Sequence, residues 1–198
     1  MSTDTGTATP DHPAGHDRAV ALLRGINVGK GPRIAMADLR NCTEAAGATA
    51  VTTVLATGNV ILTDPRPAPE VRAALERAYG DRFGYEAVVR VITLDALESA
   101  VEGYPFDTLE EHHDYVVFSD DAAVTDRVVE AMRAAIDGAE RAATSGEAAA
   151  RGPGCVYWRV PKGSTLSSDA AKVLDGRQNK RHLTTRNVRT LRRILAAG

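Results

Sequence analysis

The chain has 198 residues, 43% of them apolar, and a formal charge of only −2, enough to bury one good core or two small ones. No segment reaches the roughly 18 consecutive apolar residues of a membrane span, so no membrane partner is expected. Cys42 and Cys155 lie far apart with no C-x-x-C, which indicates neither a disulfide framework nor a zinc site, and the cytoplasm is the expected compartment.

Residues 1–17 hold Thr, Ala, Pro, Gly, Asp and His with Met1 the sole large apolar residue; they lack a secretory h-region and are expected to be a disordered tail. Periodicity and punctuation then predict a strand over Arg18 to Arg24, a helix over Met36 to Ala46 ended by Gly47, and strands over Val51 to Ala56 and Val60 to Thr63 joined at Thr57-Gly58-Asn59. Pro69 suits a first helical turn, with Val71, Ala74, Leu75 and Ala78 as an apolar stripe. Tyr85 to Ile92 reads as a strand. The order β-α-β-β-α-β over residues 18–92 is that of a ferredoxin-like half.

A linker of residues 93–113 follows, with a short helix around Leu94 to Val101 and a loop from Gly103 to His113. A second half, residues 114–198, repeats the pattern: a strand over Tyr115 to Ser119, and a helix carrying Val124, Val128, Met132 and Ile136. Strands are expected near Glu140 to Thr144, Glu147 to Ala150 and Cys155 to Val160, then a short helix capped by Ser167 or Ser168. This half is expected to close on a helix from about Thr185 to Ala197 where a strand might stand. The fold class is therefore α+β: two ferredoxin-like halves in tandem with a C-terminal helix.

Two motifs suggest where function sits. Arg24-Gly25-Ile26-Asn27-Val28-Gly29-Lys30-Gly31 packs three glycines and two cations into eight residues, a pattern suited to presenting backbone N–H groups to an anion. It is one residue short of G-x-x-x-x-G-K-[ST] and ends in Gly where a metal-binding hydroxyl is needed, so it is not a Walker loop. The tail of the chain is the second motif. The 23 residues after Asp175 hold seven of the 24 basic residues and none of the 26 acidic ones, so they carry +7 against −9 for residues 1–175. With Thr184 or Thr185 as a helix cap, Val188, Leu191 and Leu195 would face the core and Arg186, Arg189 and Arg193 the opposite side.

Ala21-Leu22-Leu23-Arg24-Gly25-Ile26-Asn27-Val28-Gly29, Met36-Ala37-Asp38-Leu39-Arg40, Thr57-Gly58-Asn59-Val60 and Thr184-Thr185-Arg186-Asn187, in that order, closely resemble the bacterial domain of unknown function 1697 family. The resemblance implies an α+β fold of two related halves and no established activity. Relatives commonly look aromatic where this chain has Val54 and carry Trp where it has Val188, so no stacking role carries over to those positions.

The sequence thus points to an anionic small ligand, phosphate- or carboxylate-bearing, with Arg24, Gly25, Asn27, Gly29, Lys30, Asn59, Thr185, Arg186 and Asn187 as candidate binding residues. Neither a metal nor a cofactor is implied. An enzyme acting on a phosphorylated metabolite in a cleft between the halves is one alternative, and a structural or oligomerising module is another. Weak, sequence-independent nucleic-acid binding through the basic segment is the third; it is disfavoured because nine aromatics, none in an RNA-binding pattern, offer no stacking platform. Glu110, Glu111, His112, His113 and Asp114 have no metal-ligand spacing and read as a polar linker. Cys155, with His182 as an imaginable base, reads as a small buried hydrophobe.

Overall fold

The computed structural model describes residues 18–27, 33–84, 86–119, 121–139 and 142–198. The expected tail, residues 1–17, and Gly29 and Lys30 of the glycine loop lie outside the described residues. The chain forms a mixed α/β architecture with two four-stranded antiparallel sheets. The first comprises β1 (Arg18–Arg24), β2 (Thr49–Thr53), β3 (Asn59–Thr63) and β4 (Val88–Thr93), with α1 (Met36–Ala45) after β1 and α2 (Ala68–Phe83) after β3. Its strand order is β2-β3-β1-β4.

After α3 (Leu94–Glu102) come β5 (His112–Ser119), α4 (Ala122–Asp137), the single turn α5 (Ala142–Ser145), β6 (Ala148–Gly152) and β7 (Cys155–Pro161). The chain ends with α6 (Asp169–Asp175), the short α7 (Arg177–Lys180), β8 (Leu183–Asn187) and α8 (Val188–Leu195). The second sheet has the order β6-β7-β5-β8, which repeats the first position for position.

Alternation along the strands distributes the core into three clusters. Ala19, Ala21 and Leu23 of β1 face α1 and α2, burying Leu39, Val71 and Leu75. Val117 of β5 and Val156, Trp158 and Val160 of β7 face α4 and α6. The central cluster lies between the sheets: Val20, Leu22 and Ile61 from one, Val116, Phe118, Cys155 and Tyr157 from the other, with Leu97 and Ala100 of α3 and Val188, Leu191 and Ile194 of α8.

Three expectations are corrected. The second half does close on a strand: Thr184, Thr185 and Arg186 belong to β8, with Thr185 opposite Val117 and Arg186 opposite Val116. The α8 cap is accordingly Asn187, whose side chain accepts from the Arg189 N–H at 2.8 Å. Of the strand expected near Glu140 to Thr144, residues 142–144 lie instead in the turn α5, and residues 140 and 141 lie outside the described residues. The strand after the linker starts at His112 rather than Tyr115, because the His112-His113-Asp114 run pairs with Val160 and its neighbours on β7. Helix starts follow local chemistry: Thr93, Asp121 and Ser168 cap α3, α4 and α6 through their side chains.

Candidate functional site

The two motifs meet in space. Arg186 stands on the inner face of β8, since its partner Val116 lies in the central cluster, and it crosses to the first sheet. Its Nε donates to Asn59 Oδ1 at 2.7 Å, and its Nη2 to the carbonyls of Leu23 and Gly58 at 2.6 and 3.2 Å and of Thr57 at 3.4 Å. Nη1 takes Thr184 Oγ1 and the Thr185 carbonyl, both at 2.9 Å. Burial lowers its pKa to about 10, so the guanidinium keeps its charge at neutral pH, held by carbonyl and amide dipoles.

Asn59 and the neighbouring segments are themselves tied down. Asn59 Nδ2 donates to the Val54 carbonyl at 2.8 Å. Asn27 has a left-handed φ of 56°; its Nδ2 donates to the Ile34 and Ala56 carbonyls at 2.9 and 3.1 Å, and its Oδ1 accepts from the Ile34 N–H at 2.7 Å. Gly58, at φ +73°, cannot carry a Cβ, which would fall 2.8 Å from Leu23 Cβ and closer still to Ile26 Cγ2. Arg24 donates to the Leu183 carbonyl at 3.0 Å and faces Asp175 at 3.5 Å, and desolvation lowers its pKa. Arg90, also buried, donates to the Arg181 and His182 carbonyls at 2.6 and 3.2 Å. Arg24 and Arg186 therefore stitch one sheet to the other through main-chain carbonyls, and Arg90 ties β4 to the segment just before β8. Gly25, at φ +72°, has open space where a Cβ would point.

Hollows elsewhere differ in what they offer. A cavity of about 220 Å³ between α2 and the first sheet is lined by Ala19, Leu62, Val71 and Val91, with Arg66 at its edge. That guanidinium is clamped by Asp64 through Nε at 2.8 Å and Nη2 at 2.5 Å. A cavity of about 280 Å³ beside Arg90 mixes charges, Glu86 pairing with Arg181 at 3.0 Å.

The hollow at the start of α8 is different. The β5–β8 ladder ends at Tyr115 and Asn187, so the chain turns away into α8 and leaves a cavity of about 50 Å³ against the start of β5. Thr108, His112, His113, Asp114, Asn187, Arg189 and Arg192 line it, with Val188. Arg189 and Arg192 sit one turn apart and exposed, and neither forms an ion pair among the described residues. The helix dipole adds positive potential at this end. On the opposite wall Asp114 Oδ1 accepts from Tyr104 Oη at 2.7 Å. Burial first, and the Asp114 carboxylate next, push the Tyr104 phenol far above its ordinary pKa, so it stays a donor. His112 Nε2 meets the Ser145 carbonyl at 2.8 Å, and its Nδ1 is buried with no partner among the described residues.

The family model that matches residues 17–149 carries the description of a protein of unknown function, DUF1697. The chain belongs to this family. A solved structure of a conserved bacterial protein from Streptococcus pneumoniae, SP0830, is similar to it, with a TM-score of 0.69 and 23% identity over 90% of this chain and 97% of that one. That likeness speaks for the fold alone. Among curated proteins none matches the sequence.

In this DUF1697 chain the structure joins Asn59, Thr185 and Arg186 by hydrogen bonds, holds Arg24 on the Leu183 carbonyl, ties Asn27 to Ile34 and Ala56, and sets Asn187 apart at the α8 cavity. Cys155 is buried in the central cluster and its thiol is pushed up to about 11 by desolvation, the state of an inert core cysteine. No group of three metal-ligating side chains occurs among the described residues, and no described helix is long and apolar enough to cross a membrane. The sequence reads His112 and Asp114 as a polar linker, and the arginine row of α8 as a face for nucleic-acid phosphates, not as parts of one small-anion site. Their signal was present as a polar run and an arginine row, but nothing in the sequence shows that the intervening chain brings them together.

Proposed function

We propose that this protein is a cytoplasmic binder of a small anion, built from two ferredoxin-like halves, and that the anion sits in the cavity at the start of α8. The repeated strand order, β2-β3-β1-β4 and β6-β7-β5-β8, supports the tandem reading, since each follows the same β-α-β-β-α-β connection. The observation that carries the function is a concave site lined by Arg189, Arg192 and Asn187 in which neither arginine forms an ion pair among the described residues. Guanidinium groups favour phosphate and carboxylate because their planar forks match paired oxygens. Asn27 and Arg186 act as structural ties rather than ligand contacts, because their side-chain polar atoms are spent on internal bonds.

Titration of the full-length protein with phosphate and with malonate, followed by calorimetry at low ionic strength, tests this. Phosphate, an ion of about five heavy atoms, binds with a Kd of about 0.1–1 mM when two arginines hold it. Replacing Arg189 and Arg192 together with Gln should weaken binding about tenfold or more, while Val188, Leu191 and Ile194 keep α8 packed. No binding by either ion, or unchanged binding in the double variant, refutes the reading. Tight, sequence-selective duplex binding that survives added salt would overturn the preference for a small anion.

A further inference from the structure

Resting on that reading, we infer that the α8 cavity selects a phosphoryl group that still carries a proton, and rejects oxyanions that carry none. A pocket built only for charge would be lined by donors alone. This one is not: Asp114 shares the cavity with Arg189 and Arg192. A carboxylate is an acceptor and repels a fully ionised oxyanion, but it accepts a hydrogen bond from an oxyanion that retains an O–H.

The Asp114 carboxylate has an oxygen to spare for this. Oδ1 is taken by the Tyr104 hydroxyl, and Oδ2 has no partner among the described residues. Tyr104 also fixes the orientation of the carboxylate, because its phenol is held in the donor state and its ring is wedged edge-on against Phe106 and Tyr157 at centroid distances of 5.5 Å. Arginine donors from α8 thus face an acceptor from β5 across a cavity of about 50 Å³, space for one tetrahedral head and little of any body attached to it.

Hydrogen phosphate and singly ionised phosphate monoesters meet the requirement; sulfate has the same shape and size but no proton, and phosphodiesters have none either. Binding neither makes nor breaks a covalent bond: the ligand proton is shared with Asp114 and the remaining oxygens lie toward the arginines. An acceptor that demands a donor from its ligand rejects the analogue lacking it, because the half-buried carboxylate is then left facing negative charge.

The test compares inorganic phosphate, glycerol phosphate and sulfate by calorimetry on the full-length protein at about pH 6, near the second ionisation of a phosphate monoester. Phosphate or glycerol phosphate should bind about tenfold or more tighter than sulfate, the tighter of the two showing whether the free ion or a monoester is the natural form. In Asp114→Asn the amide oxygen still accepts from Tyr104 while the NH₂ becomes a donor toward the cavity, so sulfate should gain and the preference collapse toward unity. Sulfate binding the wild-type protein as well as phosphate does, or Asp114→Asn keeping the preference, overturns the inference and leaves anion binding standing. Failure of all three ions to bind the wild type removes the anion-binding reading, and this inference with it. The wild-type comparison decides the matter even if the variant folds poorly.

Discussion

Replacing Arg186 with Met is the most direct test of the joint between the sheets. The substitution keeps length and apolar volume but removes every donor. Leu23 O, Asn59 Oδ1 and Thr184 Oγ1 lose bonds of 2.6, 2.7 and 2.9 Å in buried surroundings, at about 1–3 kcal/mol for each group left unsatisfied. Against this, a buried guanidinium that faces dipoles rather than a carboxylate is no longer desolvated, which returns several kcal/mol. The net loss is about 2–4 kcal/mol, a large part of the 5–15 kcal/mol typical of a folded domain. With a urea m-value near 2 kcal/mol/M this moves the unfolding midpoint down by about 1–2 M. Arg186→Lys should cost at least as much, because it keeps the buried charge and forfeits the fork that reaches both sheets. A loss below about 1 kcal/mol for Met, or a Lys variant more stable than the Met variant, refutes the argument.

Asp64 and Gly58 offer independent checks. The Arg66 hydrogen bonds hold the Asp64 carboxyl below its usual pKa, so its contribution, about 1–2 kcal/mol, is present above the unfolded carboxylate value near 3.9 and is lost as pH falls through the folded value. Thermal melts of wild type and Asp64→Asn should therefore differ at neutral pH and converge in strong acid; a gap that persists there disproves the linkage. Gly58→Ala combines a left-handed φ with a clash against Leu23 and Ile26 and should cost about 2–3 kcal/mol. Gly25→Ala has the same sign of φ but open space around the added carbon, and should cost only about 1 kcal/mol. Equal losses in the two melting temperatures would mean that packing at Gly58 plays no part.

The first half of the fold was legible because its strands alternate cleanly and its punctuation is strong. Gly47 follows α1, Pro69 opens α2, and Gly58 turns the chain before β3. The closing strand was hidden for a physical reason. Thr184, Thr185 and Arg186 have no apolar alternation of their own, and an apolar stripe begins immediately after them at Val188, so helical periodicity absorbed the segment. What makes Arg186 a strand residue is a set of carbonyls contributed more than 120 positions away, at Leu23, Thr57 and Gly58, and local pattern carries no trace of that. The α8 cavity was illegible for the same reason: Asp114 and Arg189 each look like solvated surface until β8 ends and α8 turns across the start of β5.

The central cluster draws on both ends of the chain, Val20 and Leu22 near its beginning and Leu191 and Ile194 near its end. A ribosome delivers the first sheet long before the last helix exists. Throughout that interval one side of the first sheet, with Val20, Leu22 and Ile61 on it, lacks the cover that Val188, Leu191 and Ile194 of α8 complete, and neither Leu23 O nor Asn59 Oδ1 has met Arg186. The nascent first half is thus a sticky intermediate whose completion waits on the final dozen residues. Truncation just before Arg186 should be punished during synthesis, as lost yield and aggregation, well before any ligand is in question.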